Sequence, residues 1–322
     1  MQLDRGLYAP LIVEDPAESG GYDQDWTVVL DDWLDGTTPD DVFASLRVGT
    51  SMGPMNTTSA LLGGDAGDVR YAYYLINGRL PTAPAAFTAQ PRQRVRIRFI
   101  NAGGDTAFRV ALGGHRMSIT HTDGFPVTPI DTDALLIGMG ERYDVVVTLG
   151  DGVFPLVALA EGKDATALAL VRTSAGQPPP QARPKELDGA VIGYDTLHAI
   201  PTAALPGRPV DVEHRLDLTG NMMSYDWGIN GRQLDLSPNV IRQGQRVRVS
   251  FTNTTTMYHP MHIHGHTFQI NGNGPRKDTV IVLPRQKVSC DFDADNPGQW
   301  ILHCHNIYHA EAGMAAVLGY EQ

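Results

Sequence analysis

Gln245-Arg246-Val247-Arg248-Val249-Ser250-Phe251 alternates polar and apolar side chains, and Gln93-Arg94-Val95-Arg96-Ile97-Arg98-Phe99-Ile100 keeps the same rhythm. Successive side chains of a strand point to opposite faces, so a period of two marks a strand with one face buried. Most of the remaining chain is built alike, from short β-branched and aromatic runs cut by Gly, Pro, Asn and Asp at turn-length spacing. This pattern predicts an all-β protein of sandwich type. Little helix is expected beyond a short one over 39–46, around Asp40-Asp41-Val42-Phe43-Ala44-Ser45.

The two opening stretches belong to one repeat. Ile76-Asn77-Gly78-Arg79 returns as Ile229-Asn230-Gly231-Arg232, and the run from Gln93 to Asn101 returns as Gln245 to Asn253, at an offset of about 152 residues, the size of one sandwich domain. Between the halves lies Gln177-Pro178-Pro179-Pro180-Gln181-Ala182-Arg183-Pro184, which lacks the N–H groups a sheet needs and reads as a linker. The expected organisation is a short leading segment (1–20), a first sandwich (21–175), a proline-rich linker (176–204) and a second sandwich (205–322).

The chain of 322 residues is long enough for two such domains, each burying its own core. It holds 25 Lys and Arg against 36 Asp and Glu, a net charge of −11 with no basic block, so neither nucleic acid nor an anionic membrane is an expected partner. No apolar run is long enough to span a bilayer, and the opening Met1-Gln2-Leu3-Asp4-Arg5 does not read as an export signal. Two cysteines exclude a disulfide framework.

Seven of the 11 histidines fall between His259 and His309, in His259-Pro260-Met261-His262-Ile263-His264-Gly265-His266 and His303-Cys304-His305-Asn306-Ile307-Tyr308-His309. Strand parity sorts them. If 303–305 is extended, His303 and His305 face one way and Cys304 the other; His262 and His264 share a face from which His259 is offset by an odd number. Two metal centres are implied, one on each side of the same pair of strands. The first takes His259, Cys304, His309 and Met314: one thiolate, two imidazoles and a weak thioether, the donor set of a blue-copper electron-transfer site. Zinc also binds Cys and His, but does not account for the placed methionine or the second set of histidines. That second set is His262, His264, His303 and His305, four imidazoles where a cluster of three coppers needs about twice as many. Because His303 and His305 are bonded in sequence to Cys304, an electron reaching the first centre has a short covalent route to the second.

In the corresponding place of the first half stands Phe108-Arg109-Val110-Ala111-Leu112-Gly113-Gly114-His115, apolar or small where the second half has histidines. The first sandwich is expected to be the same scaffold without the metal.

These motifs resemble those of the multicopper oxidases, the family of laccases, most closely the three-domain actinobacterial type. The resemblance implies tandem cupredoxin-like Greek-key sandwiches. It assigns His259 to blue copper, His262 to type 2 and His264 to type 3 copper; His303 and His305 to type 3; and Cys304, His309 and axial Met314 to blue copper, the positions that relay electrons in catalysis. Residues 70–150, with Gly114-His115, Asp123-Gly124 and Gly140-Glu141-Arg142-Tyr143-Asp144, resemble the family's middle domain, a spacer that holds no catalytic copper. Gly6-Leu7-Tyr8-Ala9-Pro10 through Pro16 resembles the last strand of the family's first domain, which supplies the other trinuclear histidines from two His-x-His motifs. Of the remaining histidines, His115, His121, His198 and His214, no two are so spaced. Two explanations stand: a start assigned at an internal methionine, or a true truncation that leaves the leading strand without its sheet.

The activity implied is one-electron oxidation of a small-molecule or metal-ion substrate coupled to reduction of dioxygen to water. The family works outside the cytoplasm, secreted or in the cell envelope. The alternative is a blue-copper electron-transfer or copper-binding protein without oxidase activity. Phenols, aromatic amines, Cu(I) and Mn(II) remain open as substrates. His266 is expected to be structural because His115 matches it in the half without metal motifs. His121, His198 and His214 read as surface residues, Cys290 as a buried small hydrophobe in an alternating strand, and Met222, Met223, Met257 and Met261 as core or loop filling.

Overall fold

The computed structural model describes residues 1–16, 18, 20–49, 57–178 and 183–321. The alternating stretches lie at the centre of their sheets. Arg94–Asn101 runs parallel to Gln24–Trp33 and antiparallel to Arg142–Thr148; Arg246–Asn253 runs parallel to Val212–Thr219 and antiparallel to Lys287–Asp293. Their inward residues, Val95, Ile97 and Phe99 in one and Val247, Val249 and Phe251 in the other, are fully buried. The outward arginines meet acids on the neighbouring strand: Arg248 stands in register with Asp291 and bonds it at 2.7 Å, and Arg246 does the same with Asp293 at 2.9 Å.

Each half is a sandwich of two sheets. The first pairs two six-stranded sheets, and the second pairs a six-stranded sheet with one of five, ordered Asp235–Ile241, Ala315–Tyr320, Gln299–Cys304, His259–Ile263, Thr279–Val282. The chain is all-β in tandem cupredoxin-like domains. Buried residues of both halves join in one continuous apolar cluster, from Val28 and Phe99 through Met139 and Ile281 to Phe251 and Leu302.

The expected helix is Pro39–Arg47, started by a capping box between Thr38 and Asp41 with Pro at its first turn. A second helix, Ile307–Ala312, lies outside the one short helix expected; Asn306 caps it and Gly313, at φ 120°, ends it. Two other expectations need correction. The stretch from Leu7 to Asp15 forms no strand; the Tyr8 hydroxyl donates to Asp31 of the first sandwich at 2.6 Å, and just ahead of the stretch Asp4 accepts from Tyr71 at 2.8 Å and from Tyr308 at 2.5 Å, pinning the segment to both halves. Of the proline-rich linker, residues 179–182 lie outside the described residues, and the segment from Arg183 to Ala204 is packed, not loose. Val191–Ile192 adds a parallel strand beside Ala134–Ile137, with Leu187 buried against Ala111, Ala134 and Val157 of the first sandwich.

Candidate metal centre

Strand pairing sets the parity that the histidines obey. Met261 stands opposite Cys304, and His262 opposite His303. Leu302, Cys304, Met261 and His259 turn into the space between the sheets, fully buried, while His262, His303 and His305 are only partly covered and His264 is exposed. The backbone continues the ladder past the strand ends: the amide of His305 donates to Pro260 at 2.6 Å and that of His264 to Ile301 at 3.0 Å.

On the inner side three donors converge. Cys304 Sγ is 3.8 Å from His259 Nδ1 and 3.6 Å from His309 Nδ1, and the two nitrogens are 3.1 Å apart. Among the described residues this is the one group of three or more His, Cys, Asp or Glu side chains whose donor atoms all lie within 4.8 Å of one another. A first-row ion with imidazole nitrogens at about 2.0 Å and a thiolate at about 2.3 Å in a trigonal plane would hold these donors roughly 3.5–3.7 Å apart. The observed triangle fits that size. His309 reaches it because the helix Ile307–Ala312 turns the chain back under the strand. The Cys304 amide then donates to Met314 and the Met314 amide to His309, so the buried Met314 follows within the same turn.

The outer nitrogens fix the rings. Asp68 Oδ2 accepts from His309 Nε2 at 2.9 Å, and Thr255 Oγ1 lies 2.8 Å from His259 Nε2. With Nε2 engaged in this way each imidazole turns Nδ1 toward the other ring and the sulfur, a face that needs a positive charge, a proton or a metal ion, to hold it together. Burial drives His259 well below the usual histidine range. Burial works the same way on His309, but the Asp68 carboxylate overrides it and raises this ring to about 10, so a positive charge is favoured here. Trp227 closes the pocket, its ring centroid 4.4 Å from that of His309 and 5.3 Å from that of His259.

On the outer side the four remaining imidazoles form a loose ring. His264 and His303 meet at Nε2, 3.0 Å apart; His262 lies 4.7 Å from His264, 5.6 Å from His303 and 6.0 Å from His305 between ring centroids. They do not close on a single point. Burial keeps His303 near 4 and His305 near 3, neutral and able to donate lone pairs at ordinary pH. His305 Nδ1 is buried without a hydrogen-bond partner, and His303 Nδ1 is 2.8 Å from the carbonyl of Cys304, a second link between the two sides of the strand.

Several residues that the motifs did not mark hold these groups in place, and most come from the first sandwich. Asp68 is one. Asp105, fully buried, pairs with Lys163 at 2.6 Å and accepts from the Asn306 side chain at 2.6 Å, and Asn306 in turn caps the helix that carries His309. Arg142 grips Asp278 through two bonds of 2.6 Å, and the Asp278 carbonyl lies 2.9 Å from His262 Nδ1. Lys277, fully buried, lies 3.2 Å from both Asp123 and Glu141. Only the Asp123-Gly124 and Gly140 to Asp144 motifs gave a signal for any of these in the sequence; Asp68 and Asp105 had none.

The other expectations fall outside the centre. His266 Nδ1 sits 3.3 Å from the carbonyl of His264 and its Nε2 2.7 Å from the Tyr320 hydroxyl. His121, His198 and His214 bond to Thr120, Asn273 and Val240 respectively, away from the cluster. Cys290 is buried with its thiol raised by burial, and Met257 and Met261 are core residues.

Two family models described as multicopper oxidase match residues 24–176 and 207–322. The Mycobacterium tuberculosis protein named multicopper oxidase MmcO is 53% identical over 339 residues, covering 99% of this chain and 67% of its own length. Copper resistance protein A of Escherichia coli is 25% identical, covering 98% and 74%. The crystal structure of Fet3p, described as a multicopper oxidase that functions in iron import, superposes with a TM-score of 0.80 at 20% identity over 96% of this chain and 68% of that one.

Proposed function

We propose, given that this chain belongs to the multicopper oxidase family and is a copper-dependent oxidoreductase, that His259, Cys304, His309 and Met314 hold a blue copper and that His262, His264, His303 and His305 are this chain's share of a trinuclear oxygen-reducing cluster. Bound copper would supply one-electron redox chemistry between a reducing substrate and dioxygen. The chain's own part is to hold both oxidation states with little rearrangement. The observation that carries the reading is the buried triangle of Cys304 Sγ, His259 Nδ1 and His309 Nδ1, its rings fixed from behind by Thr255 and Asp68.

Cys304 accounts for transfer between the two centres. Its peptide bonds lead directly to His303 and His305, and its carbonyl lies 2.8 Å from His303 Nδ1. A thiolate on one side of the strand is therefore joined to imidazoles on the other by a few covalent bonds and one hydrogen bond. Cys304 is itself fully buried, which keeps water and other reactants from the sulfur. The substrate is proposed as a small-molecule or metal-ion reductant, and the working location as outside the cytoplasm or in the cell envelope. Among the described residues no helix is long and apolar enough to cross a membrane.

Copper titration of purified protein of these 322 residues tests the reading. An intense blue thiolate band saturating at one copper per chain is expected, with oxygen turnover appearing only when further His-x-His pairs are supplied. A colourless copper complex would remove the blue site. Steady oxygen consumption by the mass-verified chain alone would instead show that the four imidazoles need no further ligands. The loose spacing of the outer imidazoles favours, for these residues by themselves, electron transfer without oxygen reduction.

A further inference from the structure

Residues 138–142 of the copper-free sandwich reach across to the outer imidazoles at two points. At the first, the Arg142 guanidinium bonds both oxygens of Asp278 at 2.6 Å, and the Arg142 Nη1 also donates to the Gly140 carbonyl at 3.0 Å, so loop and arginine brace one another. Asp123, whose Oδ1 accepts from the Arg142 amide, takes the amides of Asp278 and Thr279 on its other oxygen at 3.1 and 3.2 Å. Asp278 and Thr279, which receive His262, are thus held from the neighbouring domain by four hydrogen bonds, two on the Asp278 carboxylate and two on backbone amides.

The consequence for His262 is a fixed tautomer. Its Nδ1 faces the Asp278 carbonyl at 2.9 Å and Thr279 Oγ1 at 3.0 Å, and the Thr279 hydroxyl spends its own proton on Asp278 Oδ1 at 2.8 Å. Both neighbours can only accept, so Nδ1 carries the proton and Nε2 is left bare. At the second point Gly140, at φ +79°, lies flat against the His305 ring: a Cβ there would stand 2.4 Å from His305 Cδ2. Any other residue would push the ring out of place.

We propose that this loop positions two of the four outer imidazoles, Arg142 acting on His262 through Asp278 and Gly140 setting the place of His305. The inference rests on the reading of those imidazoles as copper ligands. Arg142 and Gly140 touch no reacting atom; they are positioning residues, supplied by the domain that binds no copper.

The test uses the full chain, with Arg142→Met, Arg142→Lys and Gly140→Ala compared against the parent. Nitrogen NMR of histidine-labelled, copper-free protein reads the His262 tautomer, and equilibrium dialysis against Cu(II), with the blue band followed in parallel, separates blue from non-blue copper. Arg142→Met should leave the blue band per chain unchanged, abolish the single tautomer and weaken non-blue copper about 10–100-fold. Arg142→Lys restores the charge but not the two-pronged grip, and should recover only part of that loss. Gly140→Ala should weaken non-blue copper while keeping the His262 tautomer, and it decides the case if Arg142→Met fails to fold. An unchanged tautomer and unchanged non-blue affinity in a folded Arg142→Met protein overturns the proposal. If the parent takes up no copper beyond the blue site, the imidazole reading falls, and the tautomer alone then decides whether the loop holds His262.

Discussion

The two sandwiches share a scaffold and differ in what one pair of strands carries. In the second, Met261 stands opposite Cys304 and His262 opposite His303; in the first, Val110 stands opposite Ala158 and Ala111 opposite Val157. By that register Ala158 occupies the place of Cys304 and Phe108 that of His259, and both are fully buried. Where His264 is exposed, Gly113 is backed by Pro155, and a Cβ on it would stand 2.9 Å from that ring. One domain filled the space with apolar atoms and the other with donors. The lesson lies at the boundary, because the apolar sandwich supplies Asp68 to His309, Asp105 to the cap of the His309 helix, and Arg142 to the strand behind His262. A spacer by its strands is a brace by its loops.

The largest expected effect removes the donor that separates the two domains. Cys304→Ser should abolish the blue band while leaving the fold intact, since a serine fits the same volume. Ala158, its counterpart, should tolerate change to Ser with no spectral effect. A blue band surviving in Cys304→Ser would break the comparison at its root; visible absorption after copper loading decides it.

Next comes the brace itself. Lys163 and Asp105 are both almost wholly buried and 2.6 Å apart, and Asp105 also holds Asn306. Lys163→Met leaves an unpaired buried carboxylate and should cost about 3–5 kcal/mol in denaturant unfolding. Because Asn306 caps the His309 helix, the blue band should weaken as well. Loss of stability with an unaltered band would confine Asp105 to the first domain.

Much of this was legible in the sequence because period-two alternation and His-x-His spacing are local. Val247, Val249 and Phe251 face inward as their pattern requires, and the parity of His303, Cys304 and His305 sorts them onto opposite sides of the strand. The helix Ile307–Ala312 was missed since six residues give too little periodicity, although Asn306 and Gly313 were its caps in plain view. Asp68 and Asp105 were invisible for a different reason. They act across a domain boundary on residues more than 200 positions away, and nothing in the neighbouring sequence distinguishes them from surface acids.

The acids also separate the domains by pH. Asp291 and Asp293 of the second sandwich pair with arginines on the facing strand, whereas among the described residues Asp31 of the first is buried against a tyrosine hydroxyl and a backbone amide. Burial raises Asp31 from its ordinary 3.8 to about 6, against the opposing hydrogen bond from Tyr8. The folded state then binds a proton that the unfolded chain has already released, so stability is fullest below about pH 4 on this account and falls as pH rises toward 6. Asp31→Asn should flatten that fall, gaining on the order of 2–3 kcal/mol at pH 7 relative to pH 4 when the two pH-stability curves are compared. An unchanged slope would mean that Asp31 remains charged in the fold.

The finest test is the pair of histidines that match across the repeat. His115 Nδ1 lies 2.8 Å from the carbonyl of Gly113, and His266 Nδ1 lies 3.3 Å from that of His264, each two residues back along the chain. Each Nε2 is also engaged, His115 accepting from the Gly150 amide at 2.9 Å and His266 meeting the Tyr320 hydroxyl at 2.7 Å. Each ring packs on a phenylalanine, Phe154 at 4.4 Å and Phe292 at 4.7 Å between centroids. A ring with both nitrogens committed has no lone pair to give a metal, so His266 belongs with His115 and not with the other histidines of its own motif. His115→Phe and His266→Phe should each lower stability by about 1–3 kcal/mol, the cost of leaving buried partners unpaired, and neither should change the copper bound per chain. Thermal unfolding and copper stoichiometry measured on both variants decide it: a copper deficit in His266→Phe alone would move that residue into the metal centre and end the symmetry between the two turns.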